Sequence, residues 1–220
     1  NGGALGVVAM RTKNSFFEVT NSVFVENTAY KKGGAVHVAG VDSGAHLSKG
    51  CVFRANRAFS EKDNVGSGGG AVYVEKNAVV RIHDAVANDN AVNRIGDGGF
   101  LFAKFARQVF LQRVNISGAR TDEEGGGGAL FLFGSEAILD QTHIDGCIAG
   151  NRGGGGILLD GGAKLDIFEG ILSNNVARGG FGGHIRVIAS RLNIHAISLG
   201  RLGVEYIKPM FPENHLLTGT

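Results

Sequence analysis

The sequence predicts an all-β protein: a right-handed, single-stranded parallel β-helix of about seven coils. Three observations carry that expectation. A glycine pair recurs along the chain, two apolar columns follow it at a spacing of two, and an apolar-x-x-Asn motif closes four of six repeats. The pairs are Gly2-Gly3, Gly33-Gly34, Gly69-Gly70, Gly98-Gly99, Gly127-Gly128, Gly155-Gly156 and Gly182-Gly183. Their second glycines are 31, 36, 29, 29, 28 and 27 residues apart, the period of a solenoid.

The first strand of each coil follows the glycines. Two residues past the second glycine stand Leu5, Val36, Val72, Leu101, Leu130, Leu158 and Ile185. Four residues past it stand Val7, Val38, Val74, Ala103, Leu132, Asp160 and Val187. A spacing of two is strand periodicity, so both columns are expected to face inward. Between them lie Gly6, His37, Tyr73, Phe102, Phe131, Leu159 and Arg186, expected to face outward.

A second strand is read from Phe17-Glu18-Val19, Val80-Arg81-Ile82, Val109-Phe110-Leu111, Ala137-Ile138-Leu139 and Leu165-Asp166-Ile167. Its outward column, Thr20, Lys49, His83, Gln112 and Asp140, reads as a solvated face. Next come the inward Phe24, Phe53, Ala87, Ile116, Ile144 and Leu172, then Asn27, Asn56, Asn90, Ala119, Cys147 and Asn175. Leu47 stands one place out of register with Phe53, which implies a local bulge. The glycine pair supplies positive φ at one corner. Asn is expected to fill a second, left-handed corner and to stack as an amide ladder. Parallel crossovers are right-handed by default. No stretch has helical period, which argues against helical repeat arrays.

The repeats occupy residues 1–200. Residues 201–220 contain both prolines, Pro209 and Pro212, and are expected to form a C-terminal cap or connecting tail. The chain starts directly on a glycine pair, so we expect either an internal segment of a longer polypeptide or disordered ends. Loops are expected at 58–67 and 120–124, on one edge just before the glycines.

Composition narrows the function. Glycine contributes 37 of 220 residues, far above an ordinary share of about 7%. A net charge of +2 with balanced signs gives no reason to expect nucleic acid. No apolar run is long enough to span a bilayer as a helix. Cys51 and Cys147 lie three coils apart, too far for a disulfide, so two free thiols are expected, with Cys51 buried. No Cys/His cluster suggests a metal site, and no cofactor is expected.

The tetrapeptides GGAL, GGAV, GGAV and GGAL, with Phe24-Val25-Glu26-Asn27 and Phe53-Arg54-Ala55-Asn56, resemble the GGA(I/L/V) and FxxN repeats of chlamydial polymorphic membrane proteins and related β-helix surface proteins, within the broader pectin-lyase-like superfamily. The resemblance covers roughly residues 1–200. It implies an adhesin or exported scaffold, extracellular or at the cell surface, working with protein partners or copies of itself.

Three sites follow. His37, Tyr73, Phe102, Phe131 and Leu159, with Phe100 on the same face, are expected to form an exposed stripe that docks a partner; a loop or the tail could instead cover it, and sugar rings could stack on it. Asn115-Ile116-Ser117 is a glycosylation sequon with Asn115 outward. Polysaccharide-processing β-helices need clustered carboxylates or Ca²⁺ with a base. Here Asp140 and Asp166 fall on different columns, and His184 occupies the Ala slot of a degenerate repeat. The reading is therefore a non-enzymatic structural or adhesive segment. The alternatives are a carbohydrate-binding or polysaccharide-processing β-helix, or a small structural subunit of a complex.

Overall fold

The structure, a computed structural model, describes residues 2–8, 15–59, 66–195 and 197–199. The expected tail at 201–220 and most of the loop at 58–67 lie outside them. Every regular element among the described residues is a strand, and every strand pairing is parallel. The chain winds as a right-handed β-helix with three strands per coil, forming sheets of seven, twelve and six strands.

The first sheet stacks Leu5–Val8, Val36–Ala39, Val72–Glu75, Leu101–Lys104, Leu130–Phe133, Ile157–Asp160 and Ile185–Val187. Its register corrects one repeat. Leu130 pairs with Ile157 and Phe131 with Leu158, so the sixth glycine pair is Gly154-Gly155 and Gly156 fills the Ala slot. Ile157 and Leu159 therefore face inward and Leu158 outward. Asp160, expected inward, is half-buried on the outer side.

Each glycine of a pair has its own reason. Gly33, Gly69, Gly98, Gly127, Gly154 and Gly182 have φ between 60° and 71°, where a side chain is strained. The second glycine is excluded from substitution by space: a Cβ on Gly70 would lie 2.0 Å from the Gly99 carbonyl oxygen of the next coil. Just past the pair, consecutive amides share one acceptor. Ala71 N and Val72 N both donate to Phe100 O, and the pattern recurs on every rung. This bulge turns two successive side chains inward. Phe100, expected beside Phe102, consequently points into the core and meets the Phe53 ring edge-on at 5.7 Å.

The second sheet begins with Phe16–Thr20, Gly44–Ser48, Val79–Asn88, Gln108–Ser117, Glu136–Asp140, Lys164–Phe168 and Arg191–Ile194. It bends at Asn21, Lys49, Asp84, Arg113, Gln141 and Glu169, all with φ near 50°. Leu47 aligns with Val19 and Ile82, so Ser48, not Lys49, stands in the outward column. The extra residue of this coil falls in Lys49-Gly50-Cys51, where the buried Cys51 thiol donates to Ser48 O.

The third corner carries the amide ladder. Asn27 Nδ2 donates to Asn56 Oδ1, and Asn56 Nδ2 to Asn90 Oδ1, both at 2.9 Å. Ala119 and Cys147 interrupt it, and Asn175 resumes it by accepting from Cys147 N. The left-handed residue here is not the Asn. It is the residue before it: Glu26, Ala55, Asp89, Gly118, Gly146 or Asn174. The Asn itself turns inward, and its amide satisfies backbone groups that the corner would otherwise strand.

The interior is a continuous apolar column from Leu5 to Leu192. Both cysteines are buried free thiols.

Candidate partner-binding surfaces

The outward column of the first sheet forms the stacked row that the sequence suggests, but it is not exposed. His37, Tyr73, Phe102 and Phe131 follow one another with ring centroids 5.6, 5.0 and 4.7 Å apart. Leu158 ends the row, and none of the five is more than 3% exposed. Phe100 and Leu159, assigned to this stripe from the sequence, belong to the main core instead.

The cover is the chain itself. Before each glycine pair the backbone overhangs the stripe, and successive overhangs join through the parallel bridges Lys32↔Gly68, Gly68↔Asp97 and Gly126↔Gly153. The approach is close. A Cβ on Gly68 would lie 2.8 Å from Phe102, and one on Gly126 would lie 2.5 Å from Leu158. Tyr73, Phe102, Phe131 and Leu158 thus form a second small core between sheet and overhang.

Two charged clusters fasten this cover. Lys32 Nζ donates to both oxygens of Glu75 at 2.8 Å, and His37 Nε2 lies 3.2 Å from Glu75 Oε1. Burial alone would raise the Glu75 pKa, but the His37 and Lys32 hydrogen bonds outweigh it and hold the carboxyl at about 2. Burial, with the charges of Glu75 and Asp97, pushes the Tyr73 phenol well up; its hydroxyl donates to Gly66 O. In the second cluster Asp97 accepts from Gly126 N and from Arg152. Arg152 also faces Asp160 at 3.5 Å and covers the Phe131 ring. Burial raises Asp97 to about 6, against the lowering effect of Arg152. Glu75 and Asp97 are buried at the overhang, while Lys32 and Arg152 reach them from partly exposed positions. Their hydrogen bonds tie the overhang to the sheet beneath it.

The outward face of the second sheet has no such overhang among the described residues. One column reads Glu18, His46, Arg81, Phe110, Ile138, Asp166 and Asn193; its neighbour reads Thr20, Ser48, His83, Gln112, Asp140 and Phe168, with His195 stacked beyond. The columns confirm that Asp140 and Asp166 do not form a facing pair. Over the later coils the face opens into a groove of about 520 Å³, with Phe110 and Ile138 on one column and Asp140, Phe168 and His195 on the other; Gln141 and Glu169 form its corner edge. Phe168 and His195 stack in parallel with centroids 4.1 Å apart. Gln112 Nε2 donates to Asp140 at 2.7 Å, and Gln141 Nε2 to Glu169 at 3.0 Å.

The remaining candidates are quickly placed. Asn115 is exposed on a strand paired on both sides, and the Ser117 hydroxyl donates to Asn88. His184 lies inward in the Ala slot, with Nδ1 at 3.2 Å from Asn175 Nδ2. Asp122, Glu123 and Glu124 are exposed loop residues, while Arg120 and Thr121 belong to the third sheet. Among the described residues no group of His, Cys, Asp or Glu could hold a metal ion, and no helix is long and apolar enough to cross a membrane.

No protein-family model, curated protein or solved structure matches this chain.

The overhang and the groove both escaped the sequence reading. The overhang has a signal: extra glycines upstream of the pairs, at Gly66, Gly68, Gly96, Gly126 and Gly153. The groove's signal is Phe110 and Ile138 with polar residues two places away on either side, Gln108 and Gln112, Glu136 and Asp140, followed by Phe168 one rung past Asp140.

Proposed function

We propose that this chain is a non-enzymatic structural and adhesive β-helix segment of a larger surface or extracellular assembly, and that it docks a protein partner through the open face of its second sheet. One observation carries the reading. The first sheet's outer row is sealed by the chain's own overhang, while the second sheet leaves Phe110, Ile138 and Phe168 in ordered columns open to solvent. Aromatic side chains beside polar neighbours on a firm backbone are favoured interface material. The resemblance of the GGA and FxxN repeats to chlamydial polymorphic membrane proteins and related surface adhesins supports the same reading. The mechanism is geometric: stacked coils hold side chains about 4.8 Å apart, and a partner reads that spacing.

The test places the photo-crosslinker p-benzoylphenylalanine at position 168, and separately at position 102, in the protein as its cells produce it. A discrete protein adduct from position 168 alone is the expected result. Absence of any adduct from position 168, or turnover of an acidic polysaccharide from a broad panel, would overturn the proposal.

A further inference from the structure

We propose that the groove on the second sheet is a receptor for an arginine side chain of the protein partner, with the guanidinium stacked on Phe168 and hydrogen-bonded to Asp140 and Glu169. The inference rests on the docking reading above and gives its partner a chemistry.

The ring geometry comes first. Phe168 and His195 occupy neighbouring rungs, with ring planes 4° from parallel and centroids 4.1 Å apart. Their centroid vector runs along the solenoid axis, so both planes lie across that axis. One face of Phe168 is covered by His195. The other is turned toward the rung that carries Asp140 and Gln141. A flat group entering there would continue a stack that the chain has already begun.

Charge selects the group. The groove holds two carboxylates, Asp140 and Glu169. Their partners within the chain are the neutral amides of Gln112 and Gln141. The nearby cations have their hydrogen bonds elsewhere. Arg113 attracts Asp140 through space, but its guanidinium forms a two-pronged pair with Asp84, at 2.6 and 3.0 Å, and Lys164 pairs with Glu136 at 2.7 Å. The histidine in the groove, His195, has one ring face on Phe168 and lies 4.0 Å from Asp166. Among the described residues, the groove is therefore acidic, and its carboxylates accept hydrogen bonds from neutral amides.

Guanidinium meets both demands. It is planar, stacks on aromatic faces, is weakly hydrated, and presents a fork of donors that fits carboxylates. An ammonium group supplies the charge without the plane. A sugar supplies hydroxyls without the charge. The same cation–aromatic pairing already occurs within this chain, where Arg152 lies over Phe131 and Arg186 over Phe181.

The probe is a capped glycyl-arginyl-glycine peptide, titrated into isotopically labelled protein at low salt while backbone amide resonances are followed. Its citrulline counterpart has the same shape and no charge. Saturable shifts are expected at Asp140, Gln141, Phe168 and Glu169, and not at the equivalent first-coil residues Thr20 and Asn21. The citrulline peptide is expected to bind at least about 5-fold more weakly, and 0.5 M salt to weaken the arginine peptide by about the same factor. D140N and F168A, each checked for unchanged circular dichroism, are both expected to lose most of the response. Equal binding of the citrulline peptide overturns the inference. So does the absence of a saturable shift up to about 50 mM peptide. Preferential binding of a neutral oligosaccharide in the groove overturns it too. If position 168 still crosslinks to a protein in any of these cases, the docking role stands and only the arginine chemistry falls.

Discussion

Phe102→Ala separates a sealed stripe from an exposed one. Phe102 is 2% exposed and sits between the rings of Tyr73 and Phe131, under the backbone of Gly68. Truncating a buried Phe costs about 3–5 kcal/mol, because the lost transfer energy adds to the cavity left behind. The overhang cannot collapse freely into that cavity, since Tyr73 and Asp97 tie it in place on either side. For a chain of this size a urea slope near 3 kcal/mol per molar converts the loss into a midpoint shift of about 1–1.7 M. Equilibrium urea unfolding, followed by circular dichroism, measures it. Phe168→Ala is the control: Phe168 is 38% exposed and should lose about 1 kcal/mol of stacking and burial. If Phe102→Ala moved the midpoint no further than Phe168→Ala, the stripe would be open to solvent and the second core would not exist.

Four further outcomes are expected. Gly99→Ala should cost well over about 3 kcal/mol, since its Cβ would fall 2.1 Å from Gly128 O, whereas Gly146→Ala, with φ of 59° and open space around it, should lose only about 1–2 kcal/mol; thermal melts of both variants check this. Asn56→Ala removes the acceptor of Asn27 and the donor to Phe24 O and Asn90, and should cost about 2–4 kcal/mol in urea unfolding; Asn27→Ala, at the half-exposed end of the ladder, should cost less. The folded-state pKa of Asp97, at about 6, lies above its ordinary value of 3.8. Its contribution is therefore fully present below pH 3.8 and declines as pH rises through 6, and Asp97→Asn should flatten that part of the pH–stability curve. Glu75 acts in the opposite sense: lowered to about 2, it favours the fold above pH 4.5 and ceases to do so as pH falls through 2, a component that Glu75→Gln should remove.

Much of this architecture is legible in the sequence because a solenoid repeats its constraints. Each second glycine meets the same neighbouring carbonyl, so the pairs recur, and the interior columns show the two-residue period of a strand. Register is obscured where a coil carries an extra residue, as at Lys49-Gly50-Cys51, and where the signal is degenerate. The run Gly153-Gly154-Gly155-Gly156 offers three possible pairs, and choosing the last one exchanged Leu158 for Leu159. Phe100 misled for a different reason: strict alternation fails at a bulge, where two successive residues turn inward. An Ala at that slot in four coils, Ala4, Ala35, Ala71 and Ala129, is the compositional trace of that inward corner. The overhang was hidden because it pairs through isolated bridges, with no apolar alternation of its own. The groove was hidden because its members come from two columns and a corner, and no single strand carries them all.

The coil boundaries also bear on how such a chain can change its length. Residues 100–128 span one full repeat, and joining Gly99 to Ala129 would set Leu130 over Val72, Phe131 over Tyr73 and Ala137 over Val80. The pairings removed with that coil would be replaced by near-equivalent ones between the rungs on either side. The molecule would shorten by about 4.8 Å with its cross-section preserved. Reach would then evolve in discrete steps, like rungs added to a ladder, independently of the surface chemistry that each rung displays.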